Sequence, residues 1–325
     1  MPEYTFQKLD SSHLHKIDEL FSVVFNYDSN LKLIQWKYFD NPAGNAICFG
    51  AFYGEQLVAS GTMMPECMMV FNEEKTLYKS TDLMTHPDHQ RKGLSKQINA
   101  LLKEEVSKEN PIFAYTLCSH DATKSFLKNN WTHVGKFINY FKPSILLKTT
   151  AAFKSKNNTA IKKQDTIGNA LDTYPFQNDT NKISSKKTVE ILKWRIQNPN
   201  FRYSVLFHYE NNKVNGYLIY SIGKSNMLNI IDVDATNNNK KILNALITAA
   251  EQETLQNNCR GIVACTVNNS SLEQIVKTNN YLNNPFTKGP LISILDFNIC
   301  IDNVYGDKVL DKKNWSIYAL SYDDI

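Results

Sequence analysis

Asp82-Leu83-Met84-Thr85-His86-Pro87-Asp88-His89-Gln90-Arg91-Lys92-Gly93-Leu94-Ser95 is the stretch whose reading decides the fold. Residues 79–85 read as a strand, and His86-Pro87-Asp88-His89 breaks it. Beyond the break, Leu94, Ile98, Leu101 and Leu102 recur at helical spacing and define a buried face. Residues 90–95 must therefore wrap around the amino end of a helix. First-turn N–H groups have no partner inside a helix, and the helix dipole adds partial positive charge there. Such a turn suits a pyrophosphate. Gly93 lets the backbone approach phosphate oxygens, Ser95 is too small to obstruct, and Arg91 and Lys92 add long-range attraction.

Working outward, the same order of features occurs twice. Leu33-Ile34-Gln35-Trp36-Lys37-Tyr38-Phe39-Asp40-Asn41-Pro42 and Ile191-Leu192-Lys193-Trp194-Arg195-Ile196-Gln197-Asn198-Pro199 each read as a short helix ended by Asn-Pro. A hairpin follows in each half, turning near Gly54 or Asn211, and then a strand carrying Asp82 or Asp232. A helix, a strand and a second helix complete each copy, which makes duplication a better account than chance. A helix with Leu14, Ile17, Leu20, Phe21, Val24 and Phe25 on one face precedes the first copy, with Ser11 or Ser12 as its expected cap. Between the copies, residues 149–185 are rich in Lys, Asn, Thr and Ser and read as a linker. The expected domains are residues 1–148 and 186–325, each a mixed α/β (α+β) sheet flanked by helices.

Composition sets the remaining bounds. A length of 325 residues accommodates two domains with cores of their own. The net charge of +4 comes with dispersed lysine pairs, which argues against a nucleic-acid partner. Cys48, Cys67, Cys118, Cys259, Cys265 and Cys300 lie far apart, without metal-ligand spacing, and read as reduced thiols; no metal is expected. Without a basic-then-apolar leader or a membrane-spanning apolar run, the expected location is the cytoplasm.

The stretch from Asp82 to Ser95 resembles the acyl-CoA signature of the GCN5-related N-acetyltransferases, the GNAT superfamily, in which Gln/Arg-x-x-Gly-x-Gly/Ala is met here by Gln90, Gly93 and Ser95. The serine is a small departure. The resemblance implies acetyl-CoA or another short acyl-CoA as co-substrate. Leu83, Met84 and Thr85 would hold the pantetheine arm by their backbone, and Gln90, Arg91, Lys92, Gly93, Leu94 and Ser95 the pyrophosphate. A strand N–H would polarise the thioester. The second copy runs Ala235-Thr236-Asn237-Asn238-Asn239-Lys240 where the loop should be and contains no glycine. It reads as a degenerate GNAT-like domain.

An amine acceptor needs a base, and the departing thiolate an acid. Phe126 stands where many relatives place an acidic tyrosine, and Lys79 where some place a carboxylate. Asp82 and His120 are the remaining candidates, against plainer roles as a strand hydrogen-bond acceptor and a solvated loop histidine. Trp36, Tyr38 and Tyr53 are candidates to stack on a base or sugar, against the alternative of core packing. The tandem form resembles bacterial enzymes that acylate nucleotide-linked amino sugars for surface polysaccharides. The alternatives are a protein, peptide or antibiotic amine as acceptor, or a CoA-binding protein without catalysis. A monomer or homodimer is compatible with all of these.

Overall fold

The computed structural model of the chain describes residues 3–151, 160–267, 270–283, 290–296 and 305–317. Two compact units divide it: Met1–Met68, Glu74–Gly135 and Pro290–Asp311 form the first, and Met69–Glu73, Lys136–Gly289 and Lys312–Ile325 the second.

In chain order the elements are β1 (Tyr4–Leu9), α1 (Leu14–Phe25), α2 (Leu31–Tyr38), β2 (Ile47–Tyr53), β3 (Gln56–Val70), β4 (Glu73–Thr85), α3 (Leu94–Ser107), β5 (Phe113–Cys118), α4 (His120–Lys128) and β6 (Thr132–Lys136). There follow β7 (Ile138–Pro143), α5 (Ser144–Ala151), β8 (Ile161–Gln164), β9 (Ile183–Ser185), α6 (Val189–Arg195), β10 (Tyr203–Glu210), β11 (Lys213–Ile222) and β12 (Met227–Ala235). Last come α7 (Lys240–Gln256), β13 (Gly261–Thr266), α8 (Ser271–Thr278), β14 (Leu282–Asn283), β15 (Leu291–Asp296) and β16 (Trp315–Ser316). The duplication holds element for element, since α2-β2-β3-β4-α3-β5-α4 recurs as α6-β10-β11-β12-α7-β13-α8.

Local chemistry starts the repeats alike. Asn30 caps α2 by accepting from the Leu33 amide, and Thr188 caps α6 by accepting from the Ile191 amide. The β10–β11 hairpin turns on Asn211 and Asn212, both left-handed, as a tight hairpin requires. The cap ahead of α1 is neither Ser11 nor Ser12. Asp10 accepts from the Ser12 amide and starts a 3-10 turn that leads into the helix.

Both sheets are mixed. The first runs β1-β2-β3-β4-β5-β15-β6, and the second β14-β7-β13-β12-β11-β10-β8. β4 lies parallel to β5 in the first, and β12 parallel to β13 in the second. α3 packs its apolar stripe of Leu94, Ile98, Leu102 and Val106 on one face of the first sheet, with Phe126 and Trp131 in the same cluster. The aliphatic stripe of α7 does the same in the second.

Two expectations about organisation are corrected. Residues 149–185 are more than a linker, because β8 pairs with β10, and Ile167, Leu171 and Tyr174 are buried in the second unit's core. Those three recur at helical spacing within an otherwise polar stretch, too sparse a signal to stand out. The domains are also not contiguous. β15 lies antiparallel to β5, whereas β7, which follows β6 in sequence, lies antiparallel to β13. The two repeats exchange their last strands, and each sheet is completed by residues from the other half of the sequence. Alternation of apolar residues tells which face of a strand is buried but not which neighbour it pairs with.

A fragment of residues 1–148 lacks β15 and leaves the edge of β5 open. It is expected to lose the cooperative thermal transition of the whole chain, as circular dichroism would record. A fragment that melts at the full chain's temperature would contradict the exchange.

Candidate active site

β4 pairs with β5 over Tyr78↔Ala114, Lys79↔Tyr115 and Ser80↔Thr116, although β4 continues to Thr85 and β5 to Cys118. Past Ser80 the two strands part. The cause is local: Tyr78 and Leu83 both pack on the α3 face, an odd separation that strict alternation forbids. Asp82, left-handed at φ 49°, supplies the extra residue of a bulge. A non-glycine residue there costs on the order of 1 kcal/mol. Side-chain bonds offset it, since Asp82 Oδ2 accepts from the Tyr38 hydroxyl at 2.7 Å and pairs with Lys37 Nζ at 2.7 Å. Burial, then the charge of Asp82, raises the Tyr38 pKa, so its hydroxyl stays a donor.

At the end of β4 the His86 amide bonds the Val58 carbonyl, and Pro87–His89 make one 3-10 turn. Arg91 at φ 63° and Gly93 at φ 78° are left-handed and bend the chain into α3. Gly93 caps that helix without a side-chain bond, so the Leu94 and Ser95 amides await a partner from outside. A Cβ on Gly93 would meet nothing within 4 Å. Glycine is thus required by the backbone conformation and by whatever approaches the loop, not by packing. Arg91 and Lys92 are exposed, Leu94 is buried and offers its amide alone, and residues 83–85 border the opening. Backbone donors beside two cations, continuous with a slot between strands, match a pyrophosphate with an extended arm.

The face opposite α3 carries a group that the sequence did not reveal. Lys79 Nζ pairs with Glu66 Oε1 at 2.9 Å, and the Tyr115 hydroxyl donates to Glu66 Oε2. Lys79 and Tyr115 are buried, while the Glu66 side chain keeps 18% of its surface exposed. The carboxylate missing at position 79 is present beside it, on β3. No spacing within β4 could have located it, because register across strands brings it there.

Residues 5–120 match the acetyltransferase (GNAT) domain family. The first unit carries a GNAT acetyltransferase domain. No curated protein matches the chain in sequence. Among solved structures, a conserved Enterococcus faecalis protein described as a probable N-acyltransferase is 11% identical with a TM-score of 0.69, over 92% of this chain and 74% of that one. A GCN5-related N-acetyltransferase from Anabaena variabilis is 9% identical with a TM-score of 0.68 over the same shares. A tandem GNAT protein from the clavulanic acid biosynthesis pathway is 10% identical with a TM-score of 0.61, over 90% of this chain and 98% of that one. At these identities the likeness is one of fold, and it extends over both units.

Within the GNAT domain the other expected residues fall in different places. Asp82 and His120 both lie where β4 and β5 part, but among the described residues no contact joins them; His120 is exposed in the first turn of α4. Trp36 and Tyr38 are core residues, 5% and 0% exposed, so neither offers a ring face to a substrate. Tyr53 is exposed and sits beside the loop, its ring 5.1 Å from that of His89. Phe126 packs edge-on against Trp131. Burial raises the Cys118 pKa, so its thiol is no ready nucleophile. Cys300 lies outside the described residues. No group of three or more His, Cys, Asp or Glu among the described residues is placed to hold a metal.

The strands of the second unit part in the same way. β12 pairs with β13 as far as Ile230↔Ala264, then bulges at Ile231. Lys187 Nζ lies against β12 there, reaching Asp232 at 2.8 Å, Asp234 at 3.5 Å and the Val233 carbonyl at 3.4 Å. Tyr217 and Tyr174 donate to the same two aspartates. α7 is capped by Asn239, whose side chain accepts from the Lys241 and Ile242 amides, so the donors left open on α3 are satisfied here. Burial raises the Asp234 carboxyl to about 6, with Lys187 opposing the shift and Asp232 adding to it.

Two outcomes follow. Gly93→Ala should cost about 1 kcal/mol of stability from backbone strain and weaken CoA binding; unchanged affinity by calorimetry would remove the loop from the site. Because the folded pKa of Asp234 is raised, its stabilising contribution is full below about pH 4 and is lost as pH rises through about 6. Asp234→Asn should therefore stabilise the chain at pH 7.5 by about 2–3 kcal/mol and flatten the dependence of denaturant midpoint on pH between about 4 and 6.

Proposed function

We propose that the GNAT domain transfers an acetyl or other short acyl group from coenzyme A to the amine of a small molecule, with nucleotide-linked amino sugars as the acceptor class to test first. The reading is carried by one conjunction: an uncapped α3, parted strands β4 and β5, and a carboxylate on the opposite face of the same sheet.

Coenzyme A, when bound, supplies an acyl group activated as a thioester. The Leu94 and Ser95 amides, with Arg91 and Lys92, hold its pyrophosphate, and Gly93 leaves room for it. The backbone of Leu83, Met84 and Thr85, beyond the last pair with β5, holds the arm. Glu66 attracts the acceptor's ammonium and passes its proton to solvent at the exposed edge. Each carboxylate oxygen retains a lone pair for this after bonding Lys79 and Tyr115. Lys79 and Tyr115 fix the position of Glu66 for a proton that leaves at once to water. Asp82, bonded through Oδ2 to Lys37 and Tyr38, serves by holding the bulge. His120 is the group left to protonate the departing thiolate, since Phe126 cannot.

A small-molecule acceptor is supported by likeness to a tandem GNAT protein from the clavulanic acid biosynthesis pathway and by the resemblance of the tandem form to sugar-modifying enzymes. The test is thiol release from acetyl-CoA and longer acyl-CoAs over nucleotide-linked amino sugars, free amino sugars and peptides. Release with peptides alone would move the acceptor to a protein amine. Tight CoA binding with no release on any amine would make the chain a CoA-binding protein. Glu66→Gln should lower kcat/KM by roughly 100-fold or more and leave CoA affinity unchanged; a loss of only a few-fold would remove Glu66 from proton handling.

A further inference from the structure

α3 and α7 hold the same place in the two repeats and bury matching series. Leu94, Ile98, Leu102 and Val106 of α3 answer to Ile242, Leu246, Ala250 and Thr254 of α7. One position past the second member of each series stand Asn99 and Ile247. Ile247 is fully buried and belongs, with Leu243 one turn earlier, to an apolar cluster that includes Leu272, Ile275 and Val276 of α8. Hydrocarbon closes that side of α7. The same stripe of α3 reads Ser95, Asn99 and Lys103.

Asn99 is only 8% exposed, and neither its Nδ2 nor its Oδ1 has a hydrogen-bond partner. A buried carboxamide with donor and acceptor both orphaned is rare and needs an explanation. Its stripe begins at Ser95, in the uncapped first turn of α3. The counterpart of Ser95 is Leu243, which lines a cavity with Val233 and Asp234, at the place where β12 and β13 part. Asn99 thus stands one helical turn beyond Ser95, on the side of α3 that corresponds to the cavity-lining side of α7.

We propose that Asn99 binds the pantetheine arm of acyl-CoA, its Nδ2–H donating to one amide carbonyl and its Oδ1 accepting from the N–H of the arm's other amide. The C=O and N–H of a single trans amide point in opposite directions, so one carboxamide edge cannot take both; two amides in one chain can satisfy it. This assignment rests on the reading that the first unit binds acyl-CoA.

The test is calorimetric titration of the full chain and of Asn99→Leu with CoA and with 3′-phospho-ADP, which carries the pyrophosphate but no arm. Asn99→Leu should bind CoA about tenfold more weakly, bind 3′-phospho-ADP as the parent does, and melt no lower without ligand because an orphaned polar pair is gone. Asn99→Asp, which keeps the shape and loses the donor, should also weaken CoA binding alone. CoA affinity within twofold of the parent in both variants would overturn the role of Asn99 while leaving the CoA site intact. Equal weakening of both ligands would overturn it too, by reducing Asn99 to a support of the helix. Failure of the parent chain to bind CoA would overturn the assignment together with the reading beneath it.

Discussion

The bulge at Asp82 is the constraint on which the rest of the first unit depends. A parallel pair of strands hydrogen-bonded along its whole length leaves no main-chain group for a ligand. One extra residue, held left-handed by Lys37 and Tyr38, ends the pairing of β4 with β5 and exposes the backbone of three residues within a buried sheet. The buried ion pair and the tyrosine compensate for an unfavourable backbone conformation, and they do so from α2, an element with no other part in the site. Strain at a site and support from an element packed beside it is the usual division of labour.

The second unit shows how little has to change for such a site to close. Its strands also part after a bulge, and its next helix also starts at the open end. Three alterations distinguish it: Asn239 satisfies the amides of α7, Lys187 pairs with Asp232 and Asp234, and Leu243 and Ile247 replace a serine and an asparagine. Each exchanges a group that awaits a ligand for one that is satisfied within the protein. The result is a buried lysine between two aspartates, an arrangement that leaves Asp234 hard to ionise.

Much of this was legible in residue order. The loop was readable because glycine, proline and helical periodicity are local signals, and the duplication because five elements kept their order. The expected roles of Trp36 and Tyr38 did not survive, since an aromatic residue on a short helix reads the same whether it faces a ligand or the core. Glu66 escaped notice for the opposite reason: an isolated glutamate in a strand has no local pattern to mark it. The boundary near residue 149 followed composition, and composition cannot register three apolar residues that anchor a polar segment.

The sequence by itself determined the class of the fold, its repetition, the glycine-led helix start, and which repeat retains it, because each follows from the spacing of neighbours along the chain. Only the tertiary structure decided which strand completes each sheet, that Asp82 is a bulge residue engaged by α2, that Glu66 stands beside Lys79, and that Asn99 is buried without a partner. Those depend on register between segments far apart in sequence, and strand register is set by the packing of whole faces rather than by any short run of residues.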